Sequence, residues 1–301
     1  MFDIIIIGAG PAGLTAAIYG SRANKKVLVL EAKTYGGQII TTSKIDNYPG
    51  MPHTNGIEFA TNLYNQAKEL GAEIKFEKVI NIDTTDKVKK VVTISAEYQC
   101  KAIILATGAD KRKLGVDREE EMLGKGVSYC ATCDGMFFKE KNVAVVGGGE
   151  AALAEVDYLS NICSKVYLIH RRNEFRGSEK LVDELSKKSN IEFVLNSNVI
   201  KLNGEKMLES IDVKNFEGKI INLPVSALFI AVGQVPETGN LVANFEKNNL
   251  GYIIAGEDTK TNVDGVFVAG DVREKKLRQL TTAVSDGSMA AVMACNYING
   301  K

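Results

Sequence analysis

The run Ile4-Ile5-Ile6-Ile7-Gly8-Ala9-Gly10-Pro11-Ala12-Gly13 makes the strongest statement this chain contains about its own architecture. Four consecutive β-branched residues without polar alternation suit a strand buried on both faces, as in a parallel sheet. The glycines after them keep the spacing G-x-G-x-x-G. In that pattern Gly8 permits the tight turn out of the strand, Gly10 lets backbone approach a pyrophosphate, and Gly13 allows close packing of the next helix. Pro11 and Ala12 complete the turn. Leu14 to Arg22 has small and apolar residues at helical spacing, and Lys26 to Glu31 reads as a second strand, so the segment is a βαβ unit. Glu31, at the end of that strand, is placed to accept from ribose hydroxyls, and an adenine dinucleotide is the natural ligand.

The same grammar returns at Asn142 to Val146, followed by Gly147-Gly148-Gly149-Glu150-Ala151-Ala152, a helix to about Asn161 and a strand at Val166 to Ile169. Gly147, Gly149 and Ala152 fill the three positions of the turn. The second strand leads into a basic segment, His170-Arg171-Arg172-Asn173-Glu174-Phe175-Arg176. Arg171, Arg172 and Arg176 bring three guanidinium groups to where a ribose 2′-phosphate would lie, which favours NADPH over NADH. The plainer reading of such a cluster is a solvated loop, and His170 alone reads as a structural histidine. A third signal, Val266 to Ala269 ending in Gly270-Asp271, is an apolar strand with a helix-like stretch after it from about Thr281 to Tyr297. Together these patterns predict an α/β protein with two Rossmann-like, three-layer dinucleotide-binding domains. Charged or glycine-broken stretches at Lys111 to Glu119 and Asn244 to Gly251 are the candidate joints.

A length of 301 residues and a hydrophobic fraction of 45% are enough for two domains with sizeable cores. The 37 basic residues balance 37 acidic ones, so no general attraction to nucleic acid or to an anionic membrane is built in. The N-terminal segment has neither the basic start nor the small-residue cleavage site of a signal peptide, and its apolar run is too short to span a bilayer; a cytoplasmic protein is expected.

Of the five cysteines, only Cys130 and Cys133 are close together, in Tyr129-Cys130-Ala131-Thr132-Cys133-Asp134. This is the spacing of reversible dithiol-disulfide chemistry. Zinc is the main rival, and structural zinc needs four ligands where no second C-x-x-C or H-x-x-H pair exists. Cys100, Cys163 and Cys295 read as buried or bystander thiols. Asp134 suits a general acid toward a departing thiolate, or equally a helix cap or turn residue.

These motifs together resemble the low-molecular-weight thioredoxin reductases of bacteria: GAGPAG at 8 to 13, GGQ at 36 to 38, CATC with Asp134, GGGEAA at 147 to 152, HRRNEFR at 170 to 176, GD at 270 to 271 and RQL at 278 to 280. The resemblance spans nearly the whole chain. It departs from the family at Glu150-Ala151, where Asp-Ser or Asn-Thr is frequent, and at Gln234, where histidine is. It implies FAD held by residues 1–115 and 247–301, with an NADPH domain, 116–246, inserted between them and carrying the Cys130–Cys133 pair. Gly36, Gly37, Gln38, Asn47, Gly270, Asp271, Arg278, Gln279 and Leu280 are thereby expected near the flavin. The implied activity is NADPH-dependent reduction of thioredoxin by a homodimer, with rotation of the inserted domain about hinges near Leu114 to Asp117 and Phe245 to Asn249. A ferredoxin-dependent reductase of the same fold and an FAD-binding redox sensor without turnover are the alternatives.

Overall fold

None of Ile4 to Ile7 is more than 5% exposed, and they fill β1 (Phe2–Ile7). Ile4 and Ile6 enter one core and Ile5 and Ile7 another, as a strand covered on both faces requires. In the computed structural model, which describes residues 1–42, 44–242 and 244–301, the chain forms two compact units: Met1–Asp110 with Val235–Lys301, and Lys111–Gln234.

From β1 the chain runs through α1 (Pro11–Arg22), β2 (Val27–Leu30), α2 (Gly56–Glu69), β3 (Glu73–Lys75), β4 (Val79–Asp83), β5 (Lys89–Thr93) and β6 (Glu97–Leu105). It then crosses between units on β7 (Ala109–Lys111). The second unit contains β8 (Val127–Ser128), α3 (Ala131–Asp134), β9 (Asn142–Gly147), α4 (Glu150–Ser160), β10 (Lys165–Ile169), α5 (Glu179–Ser186), β11 (Ile191–Val194), β12 (Ser197–Asn203), β13 (Ser210–Asn215), β14 (Ile220–Pro224) and β15 (Ala227–Ala231). The chain returns on β16 (Gln234–Pro236), which pairs with β7, and ends with β17 (Val266–Val268) and α6 (Leu280–Ile298).

In the first unit the sheet order is β3-β2-β1-β6-β5-β4, with β17 also on β6. β2, β1, β6 and β17 are parallel, whereas β4 and β5 fold back as an antiparallel addition. In the second unit the order is β11-β10-β9-β15-β8, all parallel, beside a separate antiparallel sheet β12-β13-β14. Both βαβ units expected from the glycine patterns are present. The antiparallel additions were not expected: their strands carry polar residues among the apolar ones and no glycine fingerprint. The joint drawn at 115/116 lies inside the second unit, where Glu119 accepts the Leu114 and Gly115 N–H groups at 3.0 and 2.7 Å. The joint at 246/247 lies inside the first, where Phe245 is part of the apolar core.

Candidate active site

Each glycine of the first turn has its own physical reason. A Cβ on Gly8, whose φ is +107°, would come within 2.3 Å of the Ala106 carbonyl oxygen, and one on Gly13 within 1.9 Å of the Gly8 oxygen. A Cβ on Gly10 would meet nothing within 4 Å. Gly8 and Gly13 are therefore bare because protein fills the space, and Gly10 opens onto a space the protein leaves clear. Pro11 begins α1, and no side chain caps the helix, so its first N–H groups keep their donors for a phosphate. Gly37 approaches this turn closely, its added Cβ lying 3.3 Å from the Gly10 Cα, and the Gly36 N–H donates to Ala9 at 2.7 Å. Glu31 accepts the Ala9 N–H at 2.8 Å with one carboxylate oxygen and the Lys33 N–H at 2.8 Å with the other. It thus ties the glycine turn to the end of β2 and keeps lone pairs for ribose.

The C-terminal segment returns to the same turn. A Cβ on Gly270 would lie 2.9 Å from Ala12 Cβ, and one on Gly287 of α6 2.2 Å from the Ala12 oxygen. Asp271 comes next, at the start of a 3-10 turn. Arg278 reaches the carbonyls of Asp271, Arg273 and Lys275 and lies 3.9 Å over the Tyr252 ring, so it braces this loop. Gln279 caps α6, of which Leu280 is the first residue, and accepts from Asn47 Nδ2 at 3.0 Å. Gln38 Nε2 donates to the Ala109 carbonyl and to Asp110 at 3.3 Å, apart from the Asn47–Gln279 pair.

In the second unit the division of labour repeats. A Cβ on Gly147 would lie 2.5 Å from the Ala231 oxygen and 2.6 Å from Ala152 Cβ, whereas one on Gly149 would meet nothing within 4 Å, and no side chain caps α4. Arg171, Arg172 and Arg176 all lie on the surface after β10. The loop that carries them is held in place by contacts on both sides of the arginines. The Arg176 N–H donates to Gly148 at 2.7 Å, the buried His170 ring stacks on Phe175, and His170 Nε2 lies 3.1 Å from the Glu174 carbonyl. Burial, and after it the nearby arginines, holds the His170 pKa below its usual value, so the ring is a neutral strut.

Cys130 and Cys133 form a disulfide with Cα atoms 5.3 Å apart, at the entrance and within the single turn of α3. Asp134 supplies no helix cap; its carboxylate accepts from Ser128 Oγ at 2.6 Å. Ser128 in turn accepts the Cys130 N–H at 3.0 Å. The chain Asp134–Ser128–Cys130 ties a carboxyl to the backbone that carries the redox pair, and sequence reasoning missed Ser128 because a lone serine two residues before a cysteine carries no pattern. The other three cysteines are free and buried, and burial pushes Cys100 up to about 12 and Cys163 up to about 11, so neither competes as a thiolate.

The chain matches the pyridine nucleotide-disulphide oxidoreductase family model over residues 2–287. A thioredoxin reductase from Treponema pallidum is 43% identical over 300 residues, covering 99% of this chain and 97% of that one. The crystal structure of thioredoxin reductase from Streptococcus pyogenes covers 100% of this chain and 99% of its own at 38% identity, with a TM-score of 0.93. That of the Lactococcus lactis enzyme in its FR conformation covers 100% of both chains at 37% identity, with a TM-score of 0.69.

Proposed function

This chain belongs to the pyridine nucleotide-disulphide oxidoreductase family, and on that premise we propose that it is an NADPH-dependent thioredoxin-disulfide reductase. The observation that carries the reading is the Cys130–Cys133 disulfide, held in the same unit as an open glycine turn and three surface arginines. FAD is assigned to the unit of Met1–Asp110 and Val235–Lys301. There the clear space at Gly10, the uncapped start of α1 and Glu31 fit a pyrophosphate and a ribose. NADPH is assigned to Lys111–Gln234, where Gly149 and α4 fit the pyrophosphate and Arg171, Arg172 and Arg176 the 2′-phosphate. Gly36, Gly37, Gln38, Asn47, Gly270, Asp271, Arg278, Gln279 and Leu280 complete the flavin site in this assignment. The enzyme is taken to work in the cytoplasm as a homodimer, on the strength of the resemblance. No helix among the described residues is long and apolar enough to cross a membrane.

When bound, FAD supplies the two-electron relay between nicotinamide and disulfide. The protein's part is positional and protonic. Breaking the Sγ–Sγ bond with two electrons leaves two sulfurs, of which one takes a proton, and Asp134, which adjoins Cys133 in the chain and is tied through Ser128 to the Cys130 backbone, is the carboxyl to which we assign its delivery. The other sulfur, as thiolate, is the nucleophile toward the partner's disulfide. The pair must meet both a flavin and a bulky protein, and rotation of the inserted unit, which lets it meet them in turn, is part of the proposal. The strands β7 and β16 are its hinge.

The test is anaerobic titration of the yellow holoenzyme with NADPH, followed near 450 nm, roughly where oxidised flavin absorbs. Bleaching stronger than with NADH and weakened at least tenfold in apparent affinity by R171A/R172A is expected, followed by rapid reoxidation with oxidised thioredoxin. Absence of bleaching by either nucleotide would transfer the donor role to ferredoxin, and bleaching without reoxidation would leave a redox sensor.

A further inference from the structure

Glu155 is an acid on the buried face of α4, in helical register with Ala152 and Leu159, both 0% exposed. Its Oε2 is buried without a hydrogen-bond partner, and its carboxyl is turned toward the backbone N–H of Ala131, the residue after Cys130. Ala131 is fully buried and packs in one apolar cluster with Leu153, Val156 and Leu159 of α4, so the contact lies inside a packed core. Glu155 is half-buried as a residue, but its Oε2 sits one peptide away from the redox pair, out of water and unpartnered. The proton delivery assigned to Asp134 makes no use of it.

Resting on the reductase reading, we propose that Glu155 is a proton-coupled positioning residue for the Cys130–Cys133 pair: it holds the Ala131 N–H in both redox states and takes up one proton when the disulfide is reduced. The electrostatic reason is charge conservation in a poorly hydrated site. The oxidised pair is neutral beside a carboxylate. Two electrons and one proton convert the pair to a thiol and a thiolate, and a second proton on Glu155 keeps the local charge at one negative rather than two. Two electrons and two protons thus enter, one S–S bond breaks, and one S–H and one carboxyl O–H form. Burial already pushes the Glu155 pKa up to about 7, against the Ala131 N–H and the Lys111 charge, which hold it down. A neighbouring thiolate raises it further.

The groups around Glu155 leave it this role. From β7 it faces Lys111, which also lies 5.1 Å from the Tyr129 ring centroid. From α3 it faces the Ala131 amide, while Asp134 is turned to Ser128. Asp157 of α4 pairs with Lys188 at 2.6 Å, and on α5 Asp183 and Glu184 pair with Lys187 and Lys180. β9 and β15 bring Val143, Val145, Ala227 and Phe229 to the same cluster.

The experiment equilibrates FAD-loaded wild type and E155Q with dithiothreitol buffers from pH 6 to 9, without NADPH or thioredoxin, and reads the Cys130–Cys133 state by thiol trapping. Below about pH 7 the carboxyl is protonated in both redox states, and the two proteins follow parallel lines. Above it, wild type takes up one proton more per disulfide reduced than E155Q. Its reduction constant falls tenfold per pH unit relative to the variant, about 30 mV per unit, so at pH 8 E155Q is about tenfold easier to reduce. Parallel lines across the whole range overturn the proposal. If E155Q does not fold, reduced-minus-oxidised infrared spectra of wild type labelled with [13C]glutamate decide. A protonated-carboxyl band shifted by the label supports Glu155; an unshifted band, which assigns the proton to aspartate, or no band overturns it. Failure of NADPH to reduce the flavin would sink the reductase reading and leave this measurement standing.

Discussion

Gly10 and Gly13 occupy the same motif and differ in everything that a substitution would feel. Gly10 has φ −75° and ψ −178°, a backbone any residue adopts, and open space where its Cβ would be. Alanine there should leave the apoprotein as stable as wild type, or more stable by about 0.4–1 kcal/mol through the unfolded chain. The new methyl would occupy the space assigned to pyrophosphate, so G10A should purify with little flavin. G13A meets the Gly8 oxygen at 1.9 Å and should destabilise the fold by about 1–3 kcal/mol or more. Urea melts and the flavin-to-protein absorbance ratio separate the two effects; equal flavin content in G10A and wild type would remove Gly10 from the cofactor site. The sequence made all six turn positions legible because the three tasks of such a turn leave a glycine pattern. It did not reveal Ser128 or the strut role of His170, whose importance comes from what lies next to them after folding.

Helices α4 and α6 each carry a single acid on an otherwise apolar buried stripe, and this was the readable signal for residues that motif matching passed over. On α6 the residue is Asp286, 6% exposed among Gly287, Ala290 and Ala291. It accepts the Gly270 N–H at 3.0 Å, Arg273 through both its oxygens and Lys275 at 2.5 Å. One carboxylate therefore fixes the Gly-Asp turn to α6 while pairing with two buried basic side chains. Removing one member of a buried ion network leaves the others uncompensated, which costs about 3–5 kcal/mol. D286N should lower unfolding free energy by that order in urea melts and loosen flavin binding with it, although Asp286 belongs to no recognised motif. A variant that melts like wild type would show that water reaches Arg273 and Lys275 and that the network is not a staple. The antiparallel strands β4, β5 and β12 to β14 stayed unread for a related reason. Burial alternates imperfectly along β4, β12 and β14, the buried positions of β5 include Lys89 and Thr93, and placement is decided by the edge each strand extends rather than by its own sequence.

The two crossings between units connect the chemistry of the separate sites, and they are bounded by glycines with left-handed backbone. Gly108, with φ +75°, precedes β7, and Gly233, with φ +106°, precedes β16; neither would bring a Cβ within 4 Å of another atom. Their glycine identity is thus conformational, not steric, which is what a hinge needs and a packed turn does not. Composition placed the flexible joints later, at Leu114 to Asp117 and Phe245 to Asn249, because charge and glycine content cannot see Glu119 gripping the first or the core enclosing Phe245. Alanine at both Gly108 and Gly233 forces a non-glycine residue into a left-handed conformation at about 1–3 kcal/mol each. If rotation relaxes that strain in one arrangement only, the balance between arrangements shifts by about 1.4 kcal/mol or more, and turnover with thioredoxin should slow about tenfold. Flavin content and NADPH affinity should stay at wild-type values, since no atom of either site is altered. Stopped-flow measurement of the two half-reactions is the check. Slowed transfer between them with intact binding places the hinge on these strands, and turnover equal to wild type removes it from them.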